Sequence, residues 1–431
     1  MTVRGSAPRR IHLAALPHSG PRADGGRTHV SRPAGSGPGG RAAPADAAGP
    51  ARRPVAGASP LPAFAAFERS ARTAERGLFD FLFLTGGGPL PGGPANRHAG
   101  TEAVARPEPV TALSALAAVT ERLGLAATAD ATSHAPYELA RRLATLDHLS
   151  GGRAAWHLVT SVDAVTGGNF RRGSRPGRAD RYARAAEFVA AARAAWDSWP
   201  PDGEPRPFAH RGRHFDLAGE FTVPGSPQGH PVVIQAAHSD EGRELAAATA
   251  DVLCWGRGFG GRGPAGPGTR PGALEAGRAY YADVKRRLAK YGRAPDDLKI
   301  MPGVGIVLGD SAAEAREKAA GTAPRPVPAR RTGHAPRAAA DPGPAPGGAE
   351  AGEPSCFVGT PETVAAALDA FVRRNAADGF VLVPHPASGG LDEFVDRVVP
   401  LLQERGAFRT EYRGSTLRSH LGLATPARKD R

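Results

Sequence analysis

Short apolar runs alternate with longer segments of helical periodicity along most of the chain. Ile11–Leu16 (IHLAAL) reads as a first strand. In Leu61–Arg76 the residues Phe64, Phe67, Ala71 and Ala74 recur at helical spacing, and Gly77 is a natural stop. Phe79–Leu84 (FDFLFL) predicts a buried strand, Pro109–Arg122 a helix, and Leu123–Thr128 a third strand. The alternation continues with helix Pro136–Leu149, strand Arg153–Thr160 and helix Asp180–Trp199, whose start is acidic. Gly and Pro punctuate His210–Pro224 in the manner of a β-hairpin.

Strand Pro231–Ala236, helix Asp240–Ala250 and strand Asp251–Trp255 come next, with Asp240 and Glu241 in the first turn of that helix. Helix Leu274–Tyr291, strand Lys299–Leu308 and the short helix Ala312–Ala319 follow. Helix Pro361–Arg374, strand Gly379–Pro384 and helix Leu391–Glu404 complete the pattern. Eight strands emerge, each followed by at least one helix. Strands separated by helices pair in parallel, because a parallel crossover needs a connection of helix length. Eight such units predict a closed (β/α)₈ TIM barrel, an α/β fold, with insertions.

Two stretches break the pattern. Segments 17–60 and 321–354 are rich in Ala, Gly, Pro and Arg and lack apolar periodicity. Neither buries enough surface to offset its ordering entropy, so both read as disordered insertions; a sequencing or reading-frame artefact is the alternative. The organisation expected is one barrel domain over 1–423, interrupted by these segments, with a tail at 424–431.

Composition adds exclusions. The formal charge of +13 invites a nucleic-acid reading, but the chain has only five lysines, so the excess is arginine. Abundant Ala, Gly, Pro and Arg with little Lys is what a GC-rich coding sequence produces. No basic stripe interleaved with aromatics occurs, and nucleic-acid binding is not expected. Cys254 and Cys356 lie far apart, without metal-ligand spacing, which excludes a disulfide framework and fits a reducing cytoplasm. The start has a twin Arg followed by too short an apolar run for a signal peptide, and no run reaches membrane-spanning length. No GxGxxG follows a strand and opens a helix.

The segment ATSHAPYELARRLATLDHLSGGRAAWHLVTS (Ala131–Ser161) resembles the bacterial-luciferase-like flavin monooxygenases. More narrowly, it is similar to the nitrilotriacetate and sulfur-compound monooxygenase branch. ERGLFDFLFL (Glu75–Leu84), DRYARAAEFVAAARAAWDSW (Asp180–Trp199), HRGRHFDLAGEFTVPGSPQGHPVVIQA (His210–Ala236), GRELAAATADV (Gly242–Val252) and FRTEYRGSTLRSHLGL (Phe408–Leu423) carry the same likeness. The resemblance implies a (β/α)₈ barrel with non-covalent FMN at its C-terminal mouth, delivered reduced by a separate flavin reductase. It implies a reaction in which O₂ adds to the reduced flavin and the resulting C4a-peroxide oxygenates a small organic substrate. A homo-oligomer is implied as well.

Site residues follow by matching strand ends to this pattern. Gly86 stands where relatives carry a carboxylate near the flavin, and is either a glycine turn or a weakened site. Thr128 matches the flavin-contacting hydroxyl best, with Thr132 as runner-up; each could also satisfy backbone at a strand end. Tyr137, at a helix start, could simply pack. Arg178 and Tyr182 occupy the positions of a His and a Tyr that meet the flavin. An arginine binds phosphate in bidentate fashion but shuttles no proton at neutral pH, and the alternative is a solvated surface arginine. His238 and Ser239 precede a helix whose free N–H groups suit a phosphate, and Ser239 would otherwise be an ordinary N-cap. His157, Trp255 and His385 end strands and are candidates for the substrate pocket, with ordinary packing as the alternative. Asp147, His148 and Arg153 read as structural polar partners. No metal site is expected, and no general acid or base emerges.

Two other readings stay open. A degenerate barrel with weak or no flavin binding is suggested by Gly86, the irregular segments and a shortened stretch between strands seven and eight. A deazaflavin-dependent oxidoreductase on the same barrel matches Ala131–Ser161 less well.

Overall fold

The computed structural model describes residues 10–17, 64–85, 107–160, 178–200, 203–256, 272–321, 356–383 and 389–426. Apart from Pro17 and Gly321, the two irregular segments lie outside the described residues, as do positions 427–431 of the tail. The elements in chain order are β1 (His12–Ala15), α1 (Phe64–Arg76), β2 (Phe81–Leu84), α2 (Pro109–Ala117), β3 (Gly124–Asp130), α3 (Pro136–Leu149) and β4 (Ala154–Val159). Next come α4 (Arg178–Asp197), β5 (Pro207–Arg211), β6 (Asp216–Glu220), β7 (Val232–Ala236), α5 (Asp240–Thr249), β8 (Val252–Cys254) and α6 (Ala273–Leu288). The rest are β9 (Lys299–Ile300), β10 (Gly303–Leu308), α7 (Ala312–Gly321), β11 (Cys356–Gly359), α8 (Pro361–Arg373), β12 (Gly379–Leu382), α9 (Leu391–Arg397), α10 (Val399–Glu404) and α11 (Leu417–His420).

Parallel pairing runs β12–β1–β2–β3–β4–β7–β8–β9, and β10 returns to β12. The seventh barrel strand closes the ring. It is one stretch, 299–308, split at Met301-Pro302 because proline donates no ladder hydrogen bond. On one side Lys299, Met301 and Gly303 donate to the carbonyls of Asp251, Leu253 and Trp255; on the other, Asp378, Val381 and Val383 donate to Ile300, Pro302 and Val304. At the β1–β12 seam, a Cβ on Gly379 would stand 2.2 Å from the His12 carbonyl oxygen, so only glycine fits. The result is the (β/α)₈ barrel expected from the alternation. One strand was missed: β11, too short for periodicity to detect, pairs with the outer edge of β10.

Side chains alternate across the wall. Ala14, Phe81, Phe83, Ala126, Ala155, Ile234, Val252, Cys254 and Val381 form one cluster inside the ring. Their neighbours, such as Leu13, Leu82, Leu125 and Trp156, join the larger core between strands and helices. The interior cluster also holds Leu417, Leu421 and Leu423 from the C-terminal segment of the domain, which therefore stoppers the N-terminal end. Buried ion pairs fix this stopper: Arg409 binds Asp80, which also accepts from His12 and the Leu13 amide, and Arg418 clasps Asp251 at 2.9 Å.

Asp147, His148 and Arg153 belong to the same end. Asp147 accepts from Ser226, Gln228 and the Ala154 amide, His148 meets the Pro224 carbonyl, and Arg153 donates to Ser150, Thr120, Leu123 and Ala117. Gly151 and Gly152 take left-handed turns there (φ 66° and 89°). Some predicted boundaries shift. The helix expected to run to Glu404 breaks between α9 and α10, where Pro400 cannot continue the ladder. The hairpin is β5–β6, antiparallel as expected. Among the described residues no helix is long and apolar enough to cross a membrane.

Candidate active site

Where the strands reach the opposite, C-terminal end, the interior positions become polar. Two residues beyond Ala126 and Ala155 stand Thr128 and His157, register partners on β3 and β4. Thr128 Oγ1 and His157 Nδ1 are 3.0 Å apart, and Phe83 of β2 presents its ring nearly perpendicular to the imidazole, with centroids 5.2 Å apart. Burial pulls His157 down to about 4, so this imidazole is neutral at pH 7.

The turn after β3 is organised by Asp130. Its carboxylate accepts from the amides of Thr132 (2.9 Å) and Ser133 (2.6 Å) and faces His134 at 3.4 Å. Burial opposes ionisation of Asp130, but the hydrogen bonds from His134 and Ser133 outweigh it and hold the carboxyl below its usual range. The same hydrogen bond to Asp130 raises His134, against its partial burial. Thr132 thus serves the turn through its backbone. Tyr137 packs, stacked on Phe208 and edge-on to Phe221.

Across the mouth, α4 and α5 converge. Tyr182 lies one turn after Arg178, the first residue of α4, and its hydroxyl reaches Ser239 Oγ at 3.1 Å. Ser239 is the N-cap of α5 and accepts from the Gly242 amide at 3.1 Å. Half-buried His238 precedes it. A Cβ on Gly242 would sit 3.2 Å from Ala237 Cβ, 3.3 Å from Ser239 Oγ and 3.4 Å from Tyr182 Oη. Glycine thus leaves a small cradle at a helix start, where free N–H groups and the dipole favour an anion. The sequence reading passed over Gly242. Its signal was a glycine at the third helical position, where alanine is the better helix former.

Two expected residues, Gly86 and His385, lie outside the described residues. Trp255 is a correction. It follows inward-facing Cys254 and so points outward, fully buried, stacking on Tyr280 in the layer between strands and helices. It does not line the interior. Among the described residues no group of three or more His, Cys, Asp or Glu is arranged to hold a metal ion.

The sequence model of the luciferase-like monooxygenases matches residues 43–378. The chain is 36% identical over 421 residues to nitrilotriacetate monooxygenase component A of Aminobacter aminovorans, covering 82% of this chain and 89% of that protein. It is 34% identical over 422 residues to the dibenzothiophene-sulfone monooxygenase of Rhodococcus erythropolis, covering 84% and 90%. Among solved structures, the EDTA monooxygenase from Chelativorans sp. BNC1 superposes with a TM-score of 0.72 at 25% identity, covering 97% of this chain and 99% of that one. A closed barrel whose interior turns polar at the C-terminal mouth, matched this far along its length, has one reading: the chain belongs to the luciferase-like monooxygenase family and is a flavin-dependent monooxygenase.

Proposed function

We propose that the protein is the oxygenase of a two-component system, taking reduced FMN non-covalently from a separate flavin reductase and using O₂ to oxygenate a small organic substrate. The Tyr182–Ser239–Gly242 cradle carries the cofactor assignment. Two hydroxyls, a capped helix start and a missing Cβ suit a dianionic phosphate, which distinguishes FMN from riboflavin. Arg178, one turn before Tyr182, adds a bidentate donor in this reading.

When bound, reduced FMN supplies the electrons for O₂ activation. The chain's own residues bind it, orient it and keep water away. Thr128 Oγ1 and His157 Nδ1 share one hydrogen, which fixes the imidazole plane. His157, uncharged at neutral pH, offers hydrogen bonding at the base of the mouth without a fixed positive charge. Phe81 and Phe83, packed edge to face beneath it, exclude water from below. Among these residues, His134 is the imidazole whose proton affinity the hydrogen bond with Asp130 raises, so it is the group suited to hold a proton at the rim.

The test is to mix the protein anaerobically with reduced FMN, admit O₂ and follow the return of oxidised-flavin absorbance. The expected outcome is a protein-dependent delay, absent with reduced riboflavin, followed by ¹⁸O₂ label in an oxygenated product from a substrate panel. Return at the rate of free flavin would instead assign a degenerate barrel. Binding of a reduced deazaflavin in preference to FMN would assign the other oxidoreductase reading.

A further inference from the structure

We propose that the N-terminal end of the barrel carries a second binding site, for a small phosphate-type oxyanion, at the seam between strand seven and the C-terminal stopper. A cavity of about 270 Å³ opens there, at the end opposite the flavin mouth. Its cationic lining is Arg10, Lys299, Arg409 and Arg413.

Lys299 makes the case. It opens β9, and its side chain is 10% exposed. Its one ion-pair partner among the described residues is Asp296, at 3.8 Å, too long for a hydrogen bond. Asp296 is itself 87% exposed, so solvent screens what attraction remains. The stem of this side chain is nine-tenths buried, and its ammonium, with three donors and no hydrogen bond to a described residue, faces the cavity, where a bound acceptor would answer it. Arg409 faces the same cavity from the stopper. One of its nitrogens serves Asp80 and the His420 carbonyl, and the other two donate to no described residue. Arg413 and Arg10, at the exposed rim, form no ion pair among the described residues.

The carboxylates nearby do not meet this need. Asp378 is already engaged by Lys285, the Tyr281 hydroxyl and the Ile300 amide. Asp296 and Glu411 stand exposed at the rim. A tetrahedral oxyanion offers acceptors in several directions at once, so it can take a hydrogen bond from the strand-seven ammonium and another from the stopper's guanidinium. Bridging these two parts, it stabilises the fold and leaves the flavin site untouched.

The experiment is thermal unfolding of FMN-saturated protein, titrated with inorganic phosphate at constant ionic strength against chloride. A saturable rise in Tm of about 2 °C is expected. Lys299→Met should abolish it with FMN affinity unchanged. Arg413→Gln, an exposed change that does not threaten folding, should weaken phosphate several-fold and serves if Lys299→Met fails to fold. No rise beyond the chloride control, or an equal rise in these variants, overturns the proposal. So does a rise seen without FMN that vanishes on FMN saturation, since that assigns phosphate to the Ser239 cradle.

Discussion

The two ends of the barrel use polar residues in opposite ways. At the N-terminal end, charged side chains are buried and answered: Asp80 by Arg409, His12 and a backbone amide, Asp251 by Arg418, Asp147 by Ser226, Gln228 and Ala154. At the C-terminal end, Thr128, Asp130, His134, Tyr182, His238 and Ser239 are only half-buried, and the side-chain bonds described there, such as Thr128 with His157 and Tyr182 with Ser239, join groups at the mouth. The first arrangement closes a structure. The second leaves groups able to exchange their partners for a ligand. A barrel separates these tasks because its strands run in parallel, so stability and chemistry fall at different ends.

Breaking the N-terminal end should cost most. Asp80→Ala leaves Arg409 buried without its counter-charge, and a loss of about 3–5 kcal/mol in denaturant unfolding is expected. FMN affinity of the protein still folded should not change. A loss below about 1 kcal/mol would show that the stopper is not anchored there.

Acid probes both ends together. Burial lowers His157, at the mouth, and His420, in the stopper, to about 4 each. The unfolded chain then binds more protons than the native one between about pH 4 and pH 6.5. Stability is therefore full above the unfolded pKa and falls as pH drops through this window, by on the order of 3 kcal/mol per histidine. His157→Asn should remove the mouth's share and His420→Asn the stopper's. Equal acid sensitivity in all three proteins would contradict both assignments.

The smallest effect in stability separates the ends most sharply. Gly242→Ala fills the cradle while improving helix propensity by up to about 1 kcal/mol. Tm should stay level or rise, while FMN affinity falls about tenfold, or about 1.4 kcal/mol. Unchanged affinity in a fluorescence titration would remove the phosphate from this site.

Strand-by-strand legibility followed from periodicity. Each of the eight barrel strands was readable because a parallel strand is a short apolar run between helices. β11 was not, since four residues between Pro354 and Pro361 carry no period. At the site, Tyr182 and Ser239 were both readable from their motifs, and folding brings them within 3.1 Å. Trp255 was misplaced because a strand end alone does not say which way a side chain faces. Its neighbour Cys254 takes the inward position, and alternation sends Trp255 outward.

The sequence by itself determined the barrel, the family and the residue types at the mouth, because local periodicity and motif spacing are properties of contiguous residues. Only the tertiary structure decided that the leucines of the C-terminal stopper plug the interior, that Asp80 answers Arg409 from 329 positions away, and that Lys299 finds no hydrogen-bond acceptor among the described residues. Those facts depend on which distant groups burial brings together, and no local pattern encodes the partner of a buried charge.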